Sequence, residues 1–134
     1  MDESKDIRWK QKFENFERSF KLLEKYAATP ISTELERAGI IQFFETTFEL
    51  AWKVLKDYLE AEGIMVKSPR ESIKQAFHVE IIENGYLWME ALSKRYLIAN
   101  TYDQELTEKL VREIQEKFLP MLRKLYLTLL KEVS

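Results

Sequence analysis

The chain of 134 residues has no cysteine, three glycines, three prolines and a single histidine. Without cysteine there are no disulfides, no thiolate chemistry and no cysteine-based zinc site, which accords with a reducing compartment. So few turn residues exclude a many-stranded sandwich and leave enough breaks for a handful of long helices. No apolar run approaches the roughly 18 residues of a membrane span. The start Met1-Asp2-Glu3-Ser4-Lys5 lacks the basic-then-apolar order of a signal peptide, so a cytoplasmic protein is expected. A dominant charge is missing too. With 21 basic and 23 acidic residues the net charge is −2, so no global field draws the chain to nucleic acid or anionic membrane and any RNA contact must be local.

What is present is a globular composition, 46% hydrophobic and 33% charged, in a length that suits one domain spanning 1–134. Trp9, Phe13, Phe16, Phe20, Leu23 and Ala27 step by four and three, which predicts a first helix with an aromatic face, closed by Pro30. Thr33 and Glu36 have the spacing of a capping box and predict the start of a second helix running to Gly63, about 45 Å long at 1.5 Å per residue. Gly39 lies inside it, which predicts either a close helix crossing or an irregular first turn. Ser68-Pro69-Arg70-Glu71 opens a short third helix. Asn84-Gly85 reads as a turn before a fourth helix, which ends in the polar break from Asn100 to Asp103. The last helix carries Leu106, Leu110, Ile114, Phe118, Leu122, Leu125 and Leu129, and Pro120 is expected to kink or divide it. The fold expected is all-α, an antiparallel four- to five-helix up-and-down bundle.

Bundles of this kind often hold metals through carboxylates and Glu-x-x-His pairs, but His78 is preceded at that spacing by Gln75, so no metal site and no cofactor is expected. His78 reads as a structural or surface residue. Glu45, Glu49 and Lys53 repeat at i, i+4 on the second helix, either as a solvated face with one ion pair or as the lining of a cleft or dimer seam. Trp9, Trp52 and Trp88 add to a surplus of aromatics that a small bundle has difficulty burying, which makes a homodimer a reasonable expectation. At the junction before the last helix stand Arg95, Asn100 and Tyr102. An arginine, an amide and a phenol there suit either a plain helix terminus or a site for a phosphate and a base edge.

Several blocks resemble a known family over nearly the whole chain: Arg8-Trp9 with Phe13-Glu14-Asn15-Phe16, Phe44-Glu45, the run from Phe48 to Leu59, Ser68-Pro69-Arg70-Glu71, and Thr101-Tyr102-Asp103. The chain resembles the nucleotidyltransferase substrate-binding proteins, a branch of the HEPN (higher eukaryotes and prokaryotes nucleotide-binding) superfamily. The resemblance implies a homodimeric helical bundle that pairs with a minimal nucleotidyltransferase as toxin and antitoxin. Members with toxin activity are metal-independent RNases, whose motif is an arginine, four further residues, a histidine, one residue and a tyrosine. The arginine falls on Arg95, the tyrosine on Tyr102 and the histidine position on Asn100. Lys94 and Tyr96 also stand where the resemblance leads one to expect an acidic residue and an asparagine. An asparagine exchanges no proton near neutral pH, so it does not replace histidine as a general acid or base. In such pairs the partner transfers adenylyl groups to the motif tyrosine, and Tyr102 matches that acceptor. The expectation is a substrate-binding subunit that binds nucleotide or RNA and its partner enzyme through a cleft around Arg95, Asn100 and Tyr102, with Glu49 and Lys53 as further candidates. An RNase using Arg95 comes second, and a structural homodimer with a vestigial motif third.

Overall fold

The computed structural model describes residues 3–98 and 103–133, the side chains of 95–98 excepted, and every regular element among them is helical. Helix α1 (Glu3–Ala27) buries Trp9, Phe13, Phe16, Phe20 and Leu23 along one stripe, as their spacing dictates. Helix α2 (Glu34–Ala61) begins at the capping box. Thr33 Oγ1 accepts from the Glu36 N–H at 3.1 Å, and Glu36 Oε1 accepts from the Thr33 N–H at 2.9 Å. The helix stops two residues before Gly63, whose φ of 87° is the left-handed geometry that a glycine supplies cheaply at a helix end. Gly39 corrects both readings of its role. The helix is regular from Glu34, and a Cβ at Gly39 would meet nothing within 4 Å, so neither a close crossing nor an irregular turn accounts for it.

Helix α3 (Pro69–His78) has Ser68 as its N-cap, with Ser68 Oγ accepting from the Glu71 N–H at 3.1 Å. The Glu71 carboxylate reaches one residue further back than the sequence suggests, to the Lys67 N–H at 2.8 Å. Helix α4 (Gly85–Ile98) starts where a turn is expected, and Asn84 Oδ1 accepts from the Leu87 N–H at 3.0 Å in the manner of a cap. The final stretch is α5 (Gln104–Glu113), a π segment (Ile114–Phe118) and α6 (Leu119–Val133), joined through residues with right-handed helical torsions. The kink expected of Pro120 is taken up just before it. Proline has no N–H to give the carbonyl four residues back and crowds it, and the wider turn, with the Leu119 N–H bonded to the Ile114 carbonyl, relieves the conflict without ending the helix.

Side-chain contacts fix the directions. Arg123 meets Glu24 at 2.8 Å and Gln115 donates to the Ala27 carbonyl at 3.1 Å, while Tyr126 lies against Phe20 at 5.1 Å and Phe13 at 5.7 Å, so α6 runs antiparallel to α1. Arg37 approaches Glu108 at 3.9 Å and Phe44 stacks on Phe118 at 5.3 Å, so α2 runs with the last helix. Lys94–Glu113 and Glu90–Lys117 pair α4 against it in the opposite sense, and Glu83, just before α4, continues the series to Lys124. The long helices therefore go up, down, up and down, with α3 inserted in the second connection. Within the core the Ser19 and Thr47 hydroxyls satisfy each other at 2.6 Å between α1 and α2. Trp9 and Trp88 are each 2% exposed, so the core of this chain absorbs two of the three tryptophans that suggested a partner, and Trp52 is partly buried.

Candidate functional site

Arg95 lies on the last turn of α4, while Asn100, Tyr102 and the side chain of Arg95 lie outside the described residues. What the structure places is the frame on either side. Lys94, immediately before the arginine, pairs with Glu113 at 3.5 Å. Glu113 also meets Lys117 at 3.7 Å, and Lys117 Nζ donates to Glu90 Oε1 at 2.8 Å, so a four-residue ionic chain ties the upper part of α4 to α5 and the π segment. The Lys117 hydrogen bond holds the Glu90 carboxyl below its ordinary pKa and the carboxylate in turn holds the Lys117 ammonium above its own. On the other side Asp103 caps α5, its Oδ1 accepting from the Leu106 N–H at 3.1 Å. Two residues adjoining the motif thus do structural work: Lys94, where an acidic residue was expected, and Asp103, which closes the Thr101-Tyr102-Asp103 block.

Glu49 and Lys53 form the i, i+4 ion pair, at 3.7 Å, with side chains 37% and 45% exposed. The ion pair expected at this spacing is therefore present, on a partly exposed face of α2. His78 is exposed at the end of α3. A Cβ built on Gly85 would stand 3.3 Å from Phe77 Cγ, which puts the end of α3 beside the start of α4. Arg95 is ten residues further along α4, about 15 Å up its axis, so His78 lies at the other end of that helix from Arg95. Among the described residues no group of three or more His, Cys, Asp or Glu side chains could hold a metal ion, and no helix is long and apolar enough to cross a membrane.

The blocks Arg8-Trp9 and Asp57-Tyr58 meet at the opposite end of the bundle. Trp9 packs edge-on against Tyr58 at 5.1 Å, Lys12 approaches Asp57 at 2.9 Å, and Glu60 sits between Lys56 at 3.0 Å and Arg8 at 3.9 Å. Asp57 is 3% exposed and Glu60 8%, so these carboxylates belong to the interior. The Tyr58 phenol has its pKa pushed up, first by burial and then by the carboxylates of Glu132, Glu62 and Asp6, which shows how closely the ends of α1, α2 and α6 converge. These residues hold helices together, and their chemistry is that of a packed ionic knot.

Two concave regions lie along α4. A groove of about 400 Å³ between α4 and α6 has Leu87, Met121 and Leu125 among its apolar walls. Lys117 and Lys124 line it, each engaged by a carboxylate from the other side, Glu90 at 2.8 Å and Glu83 at 3.4 Å. A smaller groove of about 300 Å³ separates α3 from the start of α4, lined mainly by Ile73, Phe77, Tyr86 and Met89 with Lys74 at its edge. Phe77 is 52% exposed and Tyr86 92%. Sequence reasoning passed over this face, although Lys67, Arg70 and Lys74 recur at i, i+3 and i+7 around a helix whose start signal was plain.

A search of curated proteins returns no significant match. Among solved structures, a crystal structure of a protein from Thermus thermophilus shares the fold with a TM-score of 0.74 at 30% sequence identity, over 89% of this chain and 98% of that one. The sequence profile described as "Nucleotidyltransferase substrate binding protein like" matches residues 11–131, from the first turns of α1 almost to the end of α6 and across the whole α4–α5 junction, and the chain belongs to that family.

Proposed function

We propose that this protein is the substrate-binding subunit of a two-component nucleotidyltransferase, joining a separate minimal nucleotidyltransferase and presenting nucleotide or RNA at the α4–α5 junction. The observation that carries the reading is the family match over residues 11–131. Its site is the segment from Arg95 to Tyr102, bracketed by the Lys94–Glu113 pair and the Asp103 cap. An arginine presented from such a frame binds phosphate by charge and bidentate hydrogen bonding, and an amide and a phenol beside it donate to phosphate or base. In this reading the chain is a homodimer and works with the enzyme as a toxin and antitoxin pair, with Tyr102 the acceptor for adenylylation. Glu49 and Lys53 remain candidates on α2 for the wall of the cleft.

Binding is favoured over cleavage because of proton chemistry. Metal-free RNA hydrolysis draws on a group that gives and takes a proton near neutral pH, and the one histidine stands at the far end of α4 from Arg95. The test has two arms. Co-expression with the nucleotidyltransferase should yield a complex on size exclusion that Arg95→Ala leaves intact, while nucleotide binding to that complex falls. RNA incubated with the purified chain and EDTA should remain whole. Cleavage that disappears in Arg95→Ala would overturn the reading in favour of a histidine-free RNase.

A further inference from the structure

The exposed face of α3 has a composition unlike the rest of this slightly acidic chain. Between residues 64 and 79 stand three cations, Lys67, Arg70 and Lys74, against one carboxylate, Glu71, in a chain of net charge −2. At 100° per residue Arg70, Lys74 and Phe77 fall on one side of the helix, with Lys67 just before it, and all four are exposed. Ser72, Ile73 and Ala76 are buried against the bundle.

Most interior and interhelical cations in this protein have carboxylate partners. Among the described residues no carboxylate lies within 4.0 Å of the charged groups of Lys67, Arg70 or Lys74. The nearby acids have other work: Glu71 accepts the Lys67 N–H at 2.8 Å, and Glu83 pairs with Lys124 at 3.4 Å across α6. Glu80 follows beyond the end of α3. Beside the cations two aromatic rings face solvent, Phe77 at 52% and Tyr86 at 92% exposure, on either side of the apolar groove of about 300 Å³. Asn84 also lines this groove. Its Oδ1 is occupied by the Leu87 N–H, which leaves the amide NH₂ as a donor.

We infer that this face is a binding surface for single-stranded nucleic acid. Lys67, Arg70 and Lys74, which have no carboxylate partner among the described residues, track the phosphates, and Phe77 and Tyr86 stack a base at the α3–α4 groove. The arrangement fits a single strand because exposed rings need an unstacked base, which a duplex does not offer. It differs from a protein-docking patch in setting its open rings beside three cations with no carboxylate within 4.0 Å among the described residues, Glu83 of the groove being paired with Lys124. Gly85, at this groove, is ten residues before Arg95, about 15 Å along α4, so the inference stands if the proposed role of the Arg95 segment fails.

The test is fluorescence anisotropy of an end-labelled oligouridylate with the full chain, from low to physiological salt. Two to three phosphate contacts predict a slope of log K against log salt of about −2. Arg70→Gln with Lys74→Gln should weaken binding and flatten that slope to a magnitude below about 1. Tyr86→Ala should weaken binding roughly tenfold with the slope unchanged, because stacking releases no counterions. Both sites are exposed, so helical content by circular dichroism is expected to match the parent. Parent-like affinity in both variants would overturn the inference, and so would absence of binding by the parent chain. Equal binding to vesicles of anionic lipid with the same loss in Arg70→Gln/Lys74→Gln and none in Tyr86→Ala would overturn it as well, by showing a general anion surface.

Discussion

The ion pair between Lys12 and Asp57 should respond very unequally to removal of its two members. Asp57 is 3% exposed, whereas the Lys12 side chain is 40% exposed and its ammonium Nζ approaches Asp57 Oδ2 at 2.9 Å. Lys12→Met keeps the aliphatic stem and deletes the charge, leaving a carboxylate in the interior with no cation. Breaking a buried pair in this way costs about 3–5 kcal/mol, and the water that reaches Lys12 places this case at the lower end, about 3 kcal/mol. Asp57→Asn leaves an ammonium already in contact with solvent, so its cost is that of one partly exposed ionic contact, about 1 kcal/mol. The double variant buries no charge and should cost about as much as Asp57→Asn alone, a coupling of about 3 kcal/mol. Urea denaturation followed by circular dichroism reads the free energies. In thermal melts the gap between the single variants should appear as about 8 °C for a domain of this size. If Lys12→Met proves no more damaging than Asp57→Asn, or if the two costs simply add, then Asp57 does not depend on Lys12 and the account of an interior ionic knot fails.

Gly39→Ala should stabilise the protein by about 1 kcal/mol, because the position is inside a regular helix and the new Cβ meets nothing within 4 Å; chemical denaturation checks it. Thr33→Ala removes the hydroxyl that accepts the Glu36 N–H and should cost about 1 kcal/mol in the same assay. The hydrogen bond from the Tyr126 hydroxyl to Glu17, at 2.7 Å, is the main reason that its phenol is pushed up to about 12. The folded state then holds a proton that the unfolded chain has lost, so stability falls as pH rises from about 10, the ordinary tyrosine value, toward 12. Ultraviolet titration should show this tyrosine among the last to ionise, and Tyr126→Phe should reduce the alkaline loss of stability.

The starts of α2 and α3 were legible because caps act over three or four residues, and Thr33 with Glu36, or Ser68 with Pro69, carries its whole geometry in the local sequence. The buried stripe of α1 was legible for the same reason, since side chains three and four apart share a face wherever the helix lies. The candidate motif was readable only through family resemblance, because Arg95, Asn100 and Tyr102 do not share a local spacing that dictates convergence. What the sequence by itself determined is therefore the set of helices, their boundaries to within a turn, and the lack of a second histidine. Tertiary structure decided which of two similar aromatics is covered: Trp88 lies against Phe48 at 5.6 Å in the core, while Tyr86, two residues earlier on the same helix, points outward at 92% exposure. It also decided that Asp57 is interior and Glu49 is not, and that Lys94 has Glu113 for a partner while Arg70 and Lys74 have none among the described residues. The physical reason is distance along the chain: burial and charge pairing depend on what another helix brings alongside, and local spacing carries no record of that neighbour.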